Sequence, residues 1–414
     1  MPIARILAIG DELVLGRTVD SNSTALARML GDLGFTVDQV RQVGDGEAGI
    51  CAALRALAAD AAVVVCTGGL GPTADDRTRH ALAAAMGVSL EESATAWRVI
   101  RKAWARLRPG VTVPDINRQQ ALVPVGGSWL ANDRGTAPGL LAHIGSCQVA
   151  CLPGVPHEML AMAQRLARRL PRLVPGLIRP VVAEVWFSGI GESTAQERIA
   201  DLFSERDPQV GITVSEAGHI TLRVVGRGPV VRRRARELAA RLTGHVLPAP
   251  GLAASLVAEL ARRGQIMTAA ESCTCGQVAA QLGAVPGASA VWQAGIIAYH
   301  DAVKRRLLGV PAALLRRHGA VSCEVVAAMA AGARSLARAD VAVATSGIAG
   351  PGGGTATKPV GLVWLACATR SGVVTREVRI RGERERIQRR AAAAALQLVW
   401  DVLHGRVAAN NAAH

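Results

Sequence analysis

The apolar run Ala61-Ala-Val-Val-Val-Cys66 ends abruptly in Thr67-Gly-Gly-Leu-Gly-Pro-Thr-Ala-Asp-Asp76, and few folds accommodate that junction. A short continuous apolar run bounded by glycines reads as a strand covered on both faces, which belongs to a parallel sheet sandwiched by helices. At its carboxyl end the glycines leave backbone N–H groups bare for an anion. Thr67, Gly68, Gly69 and Thr73 are the candidate phosphate contacts. Asp75 and Asp76, with Asp11 or Glu12 from an earlier strand end, are hard oxygen donors of the kind a divalent cation takes. The alternative is plain: Asp75 caps a helix and Asp76 sits in its first turn, where acids are favoured anyway.

Apolar runs and amphipathic stretches alternate around this junction. Strands are expected at residues 5–9, 35–41 and 61–66, and helices at 23–31, 47–58 and 76–86, with Asn22 and Asp75 as caps. That order predicts an α/β domain whose ligands lie beyond the carboxyl ends of parallel strands. From residue 181 the texture changes to strand 181–187, helix 196–203, strand 219–225 and helix 231–242, a small α+β module. Residues 247–251, Leu-Pro-Ala-Pro-Gly, read as a linker. A second α/β pattern follows, with strands at 265–270, 340–344 and 361–368, a helix at 277–282 and a glycine-proline loop at 346–354. Three domains are therefore expected, at 1–173, 174–246 and 252–408.

In the last of these, Ser272 falls where a strand turns into a helix. A nucleophile there could use the positive end of the helix dipole, Lys304 as its base and loop N–H groups as an oxyanion hole. Spacing alone favours the plainer reading, in which Ser272 is a helix cap and Lys304 a surface residue beside Arg305 and Arg306, since serine caps are far commoner than nucleophiles.

Half of the 414 residues are apolar, enough for large cores, and no apolar run reaches the length that spans a bilayer. With no signal-peptide pattern either, the chain is expected in the cytoplasm, away from membranes. Its eight cysteines are scattered, as reduced core cysteines are, and none has the spacing of a zinc site. The net charge of +15 raises nucleic acid as a partner, but arginine is spread through an alanine-rich chain and aromatics make up only 3%, which leaves little to stack on bases. Small-molecule nucleotides are the expected partners. The lone tyrosine, Tyr299, is worth following.

In their order these segments resemble the CinA family over nearly the whole chain. The N-terminal resemblance rests on Gly10-Asp-Glu-Leu13, Val19-Asp-Ser-Asn22, Thr67 to Asp76, Asn117-Arg-Gln-Gln120, Asn132 with Gly135-Thr-Ala-Pro-Gly139, and Leu152-Pro-Gly-Val-Pro156 before Glu158. It implies a three-layer molybdopterin-binding-like domain with Asn22 in the site, linked in some members to metal-dependent ADP-ribose pyrophosphatase activity. The middle resembles the family's KH-like module without a Gly-x-x-Gly clamp. The last domain resembles PncC, the nicotinamide mononucleotide deamidase, through Ala270-Glu-Ser-Cys-Thr274, residues 295–304, Gly319-Ala-Val-Ser322, residues 347–354 and Lys358-Pro-Val-Gly361. The resemblance implies Ser272, Tyr299 and Lys304 as catalytic residues. It also implies Ser346, Gly347, Gly350, Gly352, Gly353 and Arg384 as substrate contacts, a cofactor-free amidase and a homodimer. Two residues depart from the pattern: Cys275 stands where glycine is usual, and Ser346 where threonine is. An alternative reading is a degenerate amidase that binds nucleotides or pterins in a competence or DNA-damage role.

Overall fold

In the computed structural model, which describes residues 1–203, 208–215 and 219–407, the run after Ala61 lies inside a six-stranded sheet. The chain divides into two units, Met1–Pro180 and Val181–His414.

The first unit holds strands β1 (Ile3–Ile9), β2 (Thr36–Val43), β3 (Val63–Thr67), β4 (Leu90–Glu92), β5 (Leu122–Pro124), β6 (Ser128–Leu130), β7 (Gly139–Ile144) and β8 (Cys147–Leu152). The sheet order is β2-β1-β3-β8-β7-β6, and β4 pairs with β5 as a separate ribbon. Strand β1 is parallel to β2 and β3, β3 is parallel to β8, and β7 runs antiparallel to its neighbours. The helices are α1 (Asp11–Val14), α2 (Ser21–Leu33), α3 (Glu47–Ala58), α4 (Thr78–Met86), α5 (Ala94–Leu107) and α6 (Pro156–Leu173). Successive side chains of β3 point to opposite faces. Val63 and Val65 therefore join Leu26, Leu30 and Met159 under α2 and α6, while Val64 and Cys66 join Leu54 and Leu82 under α3 and α4. Each fully buried valine contributes about 1.5–3 kcal/mol, so this strand anchors the layer and fixes where its carboxyl end opens.

Helix boundaries differ instructively from expectation. Helix α3 occupies the expected residues, but α2 starts two residues early because Asp20, not Asn22, caps it by accepting from Ser23 N at 2.8 Å. Helix α4 starts at Thr78 with no side-chain cap, so Asp75 caps nothing and Asp76 lies outside the helix.

The second unit opens with β9 (Val181–Phe187), β10 (Gln209–Val214), β11 (Ile220–Gly226) and β12 (Val246–Leu247), an antiparallel sheet of order β10-β11-β9-β12. It is covered by α7 (Glu192–Ile199) and α8 (Val230–Arg241) over Phe187, Ile199, Leu222 and Leu238. The helix expected at 196–203 begins four residues earlier and ends as a 3-10 turn over Ala200–Phe203. The expected linker is instead tied in: Leu247 pairs with Trp186, and Ala249 N donates to Ser255 Oγ.

The rest is β13 (Met267–Glu271), β14 (Trp292–Ile297), β15 (Val341–Gly347), β16 (Leu362–Thr369) and β17 (Gly372–Arg379), in the order β14-β13-β15-β16-β17. Strand β13 is parallel to both neighbours, whereas β15, β16 and β17 alternate in direction. Helices α9 (Leu252–Arg263), α10 (Gln277–Gly283), α11 (Asp301–Leu308), α12 (Ala312–His318), α13 (Cys323–Leu336) and α14 (Arg384–Leu403) complete it. Leu256, Leu260, Leu396 and Val399 of α9 and α14 pack on Val341, Val343 and Leu365, while Met329 and Ala330 of α13 pack on Ala342, Ala344 and Ala366. Among the described residues no helix is long and apolar enough to cross a membrane.

Candidate functional site

Strand β13 delivers Ser272 to a tight turn. Cys275 N donates to Ser272 O at 3.2 Å, and the chain passes through left-handed conformations at Cys275 (φ 48°) and Gly276 (φ 94°) before α10 begins. A side chain at such a φ is strained, which is the physical content of the departure at Cys275. The expectation that the α10 dipole serves Ser272 is corrected by the residue before it. Glu271 is completely buried and turns its carboxylate onto the helix start. It accepts from Thr274 Oγ at 2.7 Å, Gly276 N at 2.9 Å, Val278 N at 3.1 Å and Ala279 N at 2.9 Å. The positive end of α10 is therefore neutralised internally. Sequence reasoning missed Glu271; the available signal was a single acid closing an otherwise apolar strand.

Lys304 is also buried, 1% exposed, and not the surface residue that spacing allowed. Its amine donates to Tyr299 O at 2.8 Å and Asp301 Oδ1 at 3.1 Å, and not to the Ser272 hydroxyl. Its charge acts on Cys273, the residue after the serine; burial pushes that thiol up to about 12, and Lys304 works weakly against the shift. Tyr299 is half-exposed, and its hydroxyl accepts from Arg384 Nη2 at 2.9 Å. Arg384 Nη1 donates to Gly350 O at 2.7 Å, and Gln388, one turn further along α14, donates to Cys273 O at 2.8 Å. Helix α14 thus ties the tyrosine, the glycine loop and the serine turn into one frame.

Two of the expected substrate contacts also have structural roles. Ser346 is buried and its hydroxyl donates to Ala320 O at 2.6 Å, which braces a neighbouring loop. Gly347 closes β15, where a Cβ would meet Leu362 O at 2.7 Å, so strand packing explains it. Gly352 and Gly353 are exposed, with no backbone atom within 4 Å of an added Cβ.

At the sheet end of the first unit, Asn22 Nδ2 donates to Thr67 Oγ1 at 3.0 Å and Gly154 O at 2.7 Å, and Thr67 donates to Pro153 O. The Asn22 Oδ1 atom is buried without a partner. These residues line a small cavity with Glu12, Thr18, Asp20 and Ser21. Behind the glycine loop lies a residue that sequence reasoning missed: Arg79, 1% exposed, donates to Leu70 O at 2.7 Å and Gly71 O at 3.1 Å. Burial pushes it down to about 10, partly offset by Asp76.

The four expected metal ligands do not form one donor set. Asp76 accepts from Gly71 N at 2.7 Å and Thr73 N at 2.8 Å, and also from Thr73 Oγ1, so both its oxygens serve the loop. Asp11 accepts from Asp45 N, and Glu12 folds over Gly10. Asp45 lies beside Asp11, Glu12 and Asp75; burial first, then these charges, hold its carboxyl above the usual range. Among the described residues no three His, Cys, Asp or Glu side chains converge as metal donors.

Fold and sites define a mixed α/β chain of three parts. Residues 5–173 match the model of the probable molybdopterin binding domain, 184–247 the damage-inducible protein CinA KH domain, and 250–403 the CinA C-terminal domain. The chain belongs to the CinA-like protein family. A CinA-like protein of Synechococcus sp. (strain CC9902) is 42% identical over 89% of this chain and 90% of its own, and one of Anaeromyxobacter sp. (strain Fw109-5) is 39% identical over 96% and 99%. Among solved structures, the competence/damage inducible protein CihA from Agrobacterium tumefaciens is 40% identical, covering 37% of this chain and 97% of its own with a TM-score of 0.36.

Proposed function

We propose that the second unit hydrolyses the carboxamide of nicotinamide mononucleotide, giving nicotinate mononucleotide and ammonia. The observation that carries this reading is the frame in which Arg384 joins the lone tyrosine to Gly350 while Gln388, on the same helix, holds the turn of Ser272. Ser272 Oγ attacks the carboxamide carbon as Lys304, acting in its neutral amine form, takes its proton. The tetrahedral intermediate expels ammonia, which leaves with the proton returned by Lys304. Water then attacks the resulting ester, releasing the carboxylate and restoring the serine. Because Glu271 occupies the α10 terminus and the Ser346 hydroxyl gives its proton to Ala320 O, the oxyanion is left to backbone N–H groups of the serine turn. Arg384, exposed and charged beside Tyr299, pairs with the nucleotide phosphate.

Ammonia release by the full chain tests this. Ser272→Ala and Lys304→Ala should each lose at least about a thousandfold in kcat, the loss expected when a nucleophile or its base is removed. Wild-type-like turnover in either variant refutes that residue's role, and no release from the wild type refutes the reaction. For the first unit we propose a pocket that binds a nucleotide or pterin. The unpartnered Asn22 Oδ1 supports it, and unchanged ligand affinity in Asn22→Ala refutes it.

A further inference from the structure

A larger cavity, about 570 Å³, lies within the second unit between the turn after β9 and the outer face of α14. Its size is that of a small-molecule site. Its walls are built from both sides of the chain: Ile190, Ile220, Leu252, Val378, Ile380 and Ala394 supply apolar surface. Arg390 lines this cavity and also an adjoining space with Arg386 and Glu192. Residues 386, 390, 394 and 397 are spaced to share one side of α14.

Three observations give the cavity a preference. Ser188, 3% exposed, lines it, and its Oγ atom is buried without a hydrogen-bond partner. The Ser188 N–H and C=O are both occupied by His245, so only the hydroxyl is left over. Helix α7 begins at this wall after Gly189 (φ 70°) and Gly191, with no side-chain cap on its first N–H groups. Arg386 and Arg390 have no ion-pair partner among the described residues, whereas Arg389 between them pairs with Glu385. Among the described residues one carboxylate, Glu192, stands against these two guanidinium groups, so their balance at the mouth is net positive.

We infer that this cavity is a binding site for a phosphate monoester carrying an apolar or planar body. The phosphate would sit between Arg390, the α7 N-terminus and Ser188, and the body against Ile190, Val378 and Ala394. The site is separate from the amidase frame but shares its helix, since Arg384 and Gln388 lie at the start of α14 and Arg390, Ala394 and Gln397 follow on the cavity wall. A ligand here therefore bears on the element that positions Tyr299 and the serine turn.

Hydrogen–deuterium exchange on the full chain, with adenosine 5′-monophosphate, adenosine and inorganic phosphate as probes, tests the inference. The monophosphate should slow exchange across residues 188–199, adenosine should not, and inorganic phosphate should do so only weakly. The double variant R386Q/R390Q should weaken that protection at least tenfold and Ser188→Ala several-fold, while Ser272→Ala leaves it unchanged. Protection confined to residues 9–22, 67–73 or 271–304, equal protection by adenosine, no protection at all, or full affinity in the double variant would overturn it. Because the readout is binding at 188–199, the absence of ammonia release would leave this site standing or falling on its own.

Discussion

Replacing Glu271 tests whether the Ser272 turn is built around a buried carboxylate. The side chain accepts four hydrogen bonds, three of them on Oε2 and one on Oε1. Bonds to a charged acceptor are worth about 1.5–3 kcal/mol and neutral ones about 0.5–1.5. Glu271→Gln keeps one oxygen for the three-donor side but presents an NH₂ group to Ala279 N, so one bond becomes a donor–donor clash and three lose their charge. The expected loss is about 3 kcal/mol. Glu271→Ala leaves three backbone donors orphaned at the start of α10, and about 5 kcal/mol is expected, a large share of a domain's total stability. Because a chain of several domains does not unfold in one step, the measurement is the opening free energy of amides 277–283 by native-state hydrogen exchange, supported by ammonia release. Both variants should lower protection and turnover together. A loss below about 1 kcal/mol in the alanine variant would refute the claim that this carboxylate holds the turn.

Cys275→Gly removes a Cβ from a φ of 48° and should stabilise the same turn by up to about 1 kcal/mol, less glycine's extra unfolded-state freedom; a lower opening free energy for α10 would contradict the strain argument. Glu259 gives a pH signature. Hydrogen bonds from Arg262, then Arg263, pull its carboxyl from 4.5 to about 2, so between those values the unfolded chain binds more protons and stability falls as the pH drops. Glu259→Gln should flatten the loss in that window by about 1 kcal/mol after solvent screening, and acid titrations of the two proteins that superimpose would count against it.

The sequence was most legible where one physical signal dominated. The apolar alternation over Val181–Phe187 and the amphipathic period over Glu47–Ala58 set those elements at the expected residues, since nothing else competes for their backbone. Errors gathered where a polar side chain had a choice of partners. Asn22 looked like a cap because asparagine caps helices, but its amide reaches Thr67 and Gly154, partners 45 and 132 residues away that no local window contains. Asp76 was read as a metal ligand or first-turn acid, and its carboxylate closes its own loop. Position and composition single out Ser272, Lys304 and Tyr299, but their catalytic roles are implied only by the family pattern. Glu271 and Arg79 were not singled out, because burial of a charge is a tertiary fact: a strand reads the same whether the acid ending it faces water or a helix start.

Arg79 and Asp76 brace the glycine loop after β3 from behind, the guanidinium taking the carbonyls of Leu70 and Gly71 and the carboxylate taking the N–H groups of Gly71 and Thr73. A loop so rich in glycine would ordinarily be a floppy hinge that closes on its ligand. Clamped on both its donors and its acceptors, it is held rigid just beyond the carboxyl end of β3. A ligand of the class proposed for the first unit would meet this loop at a shape already set, so its association would depend on diffusion and desolvation more than on conformational exchange, and tighter ligands would differ chiefly in how slowly they leave.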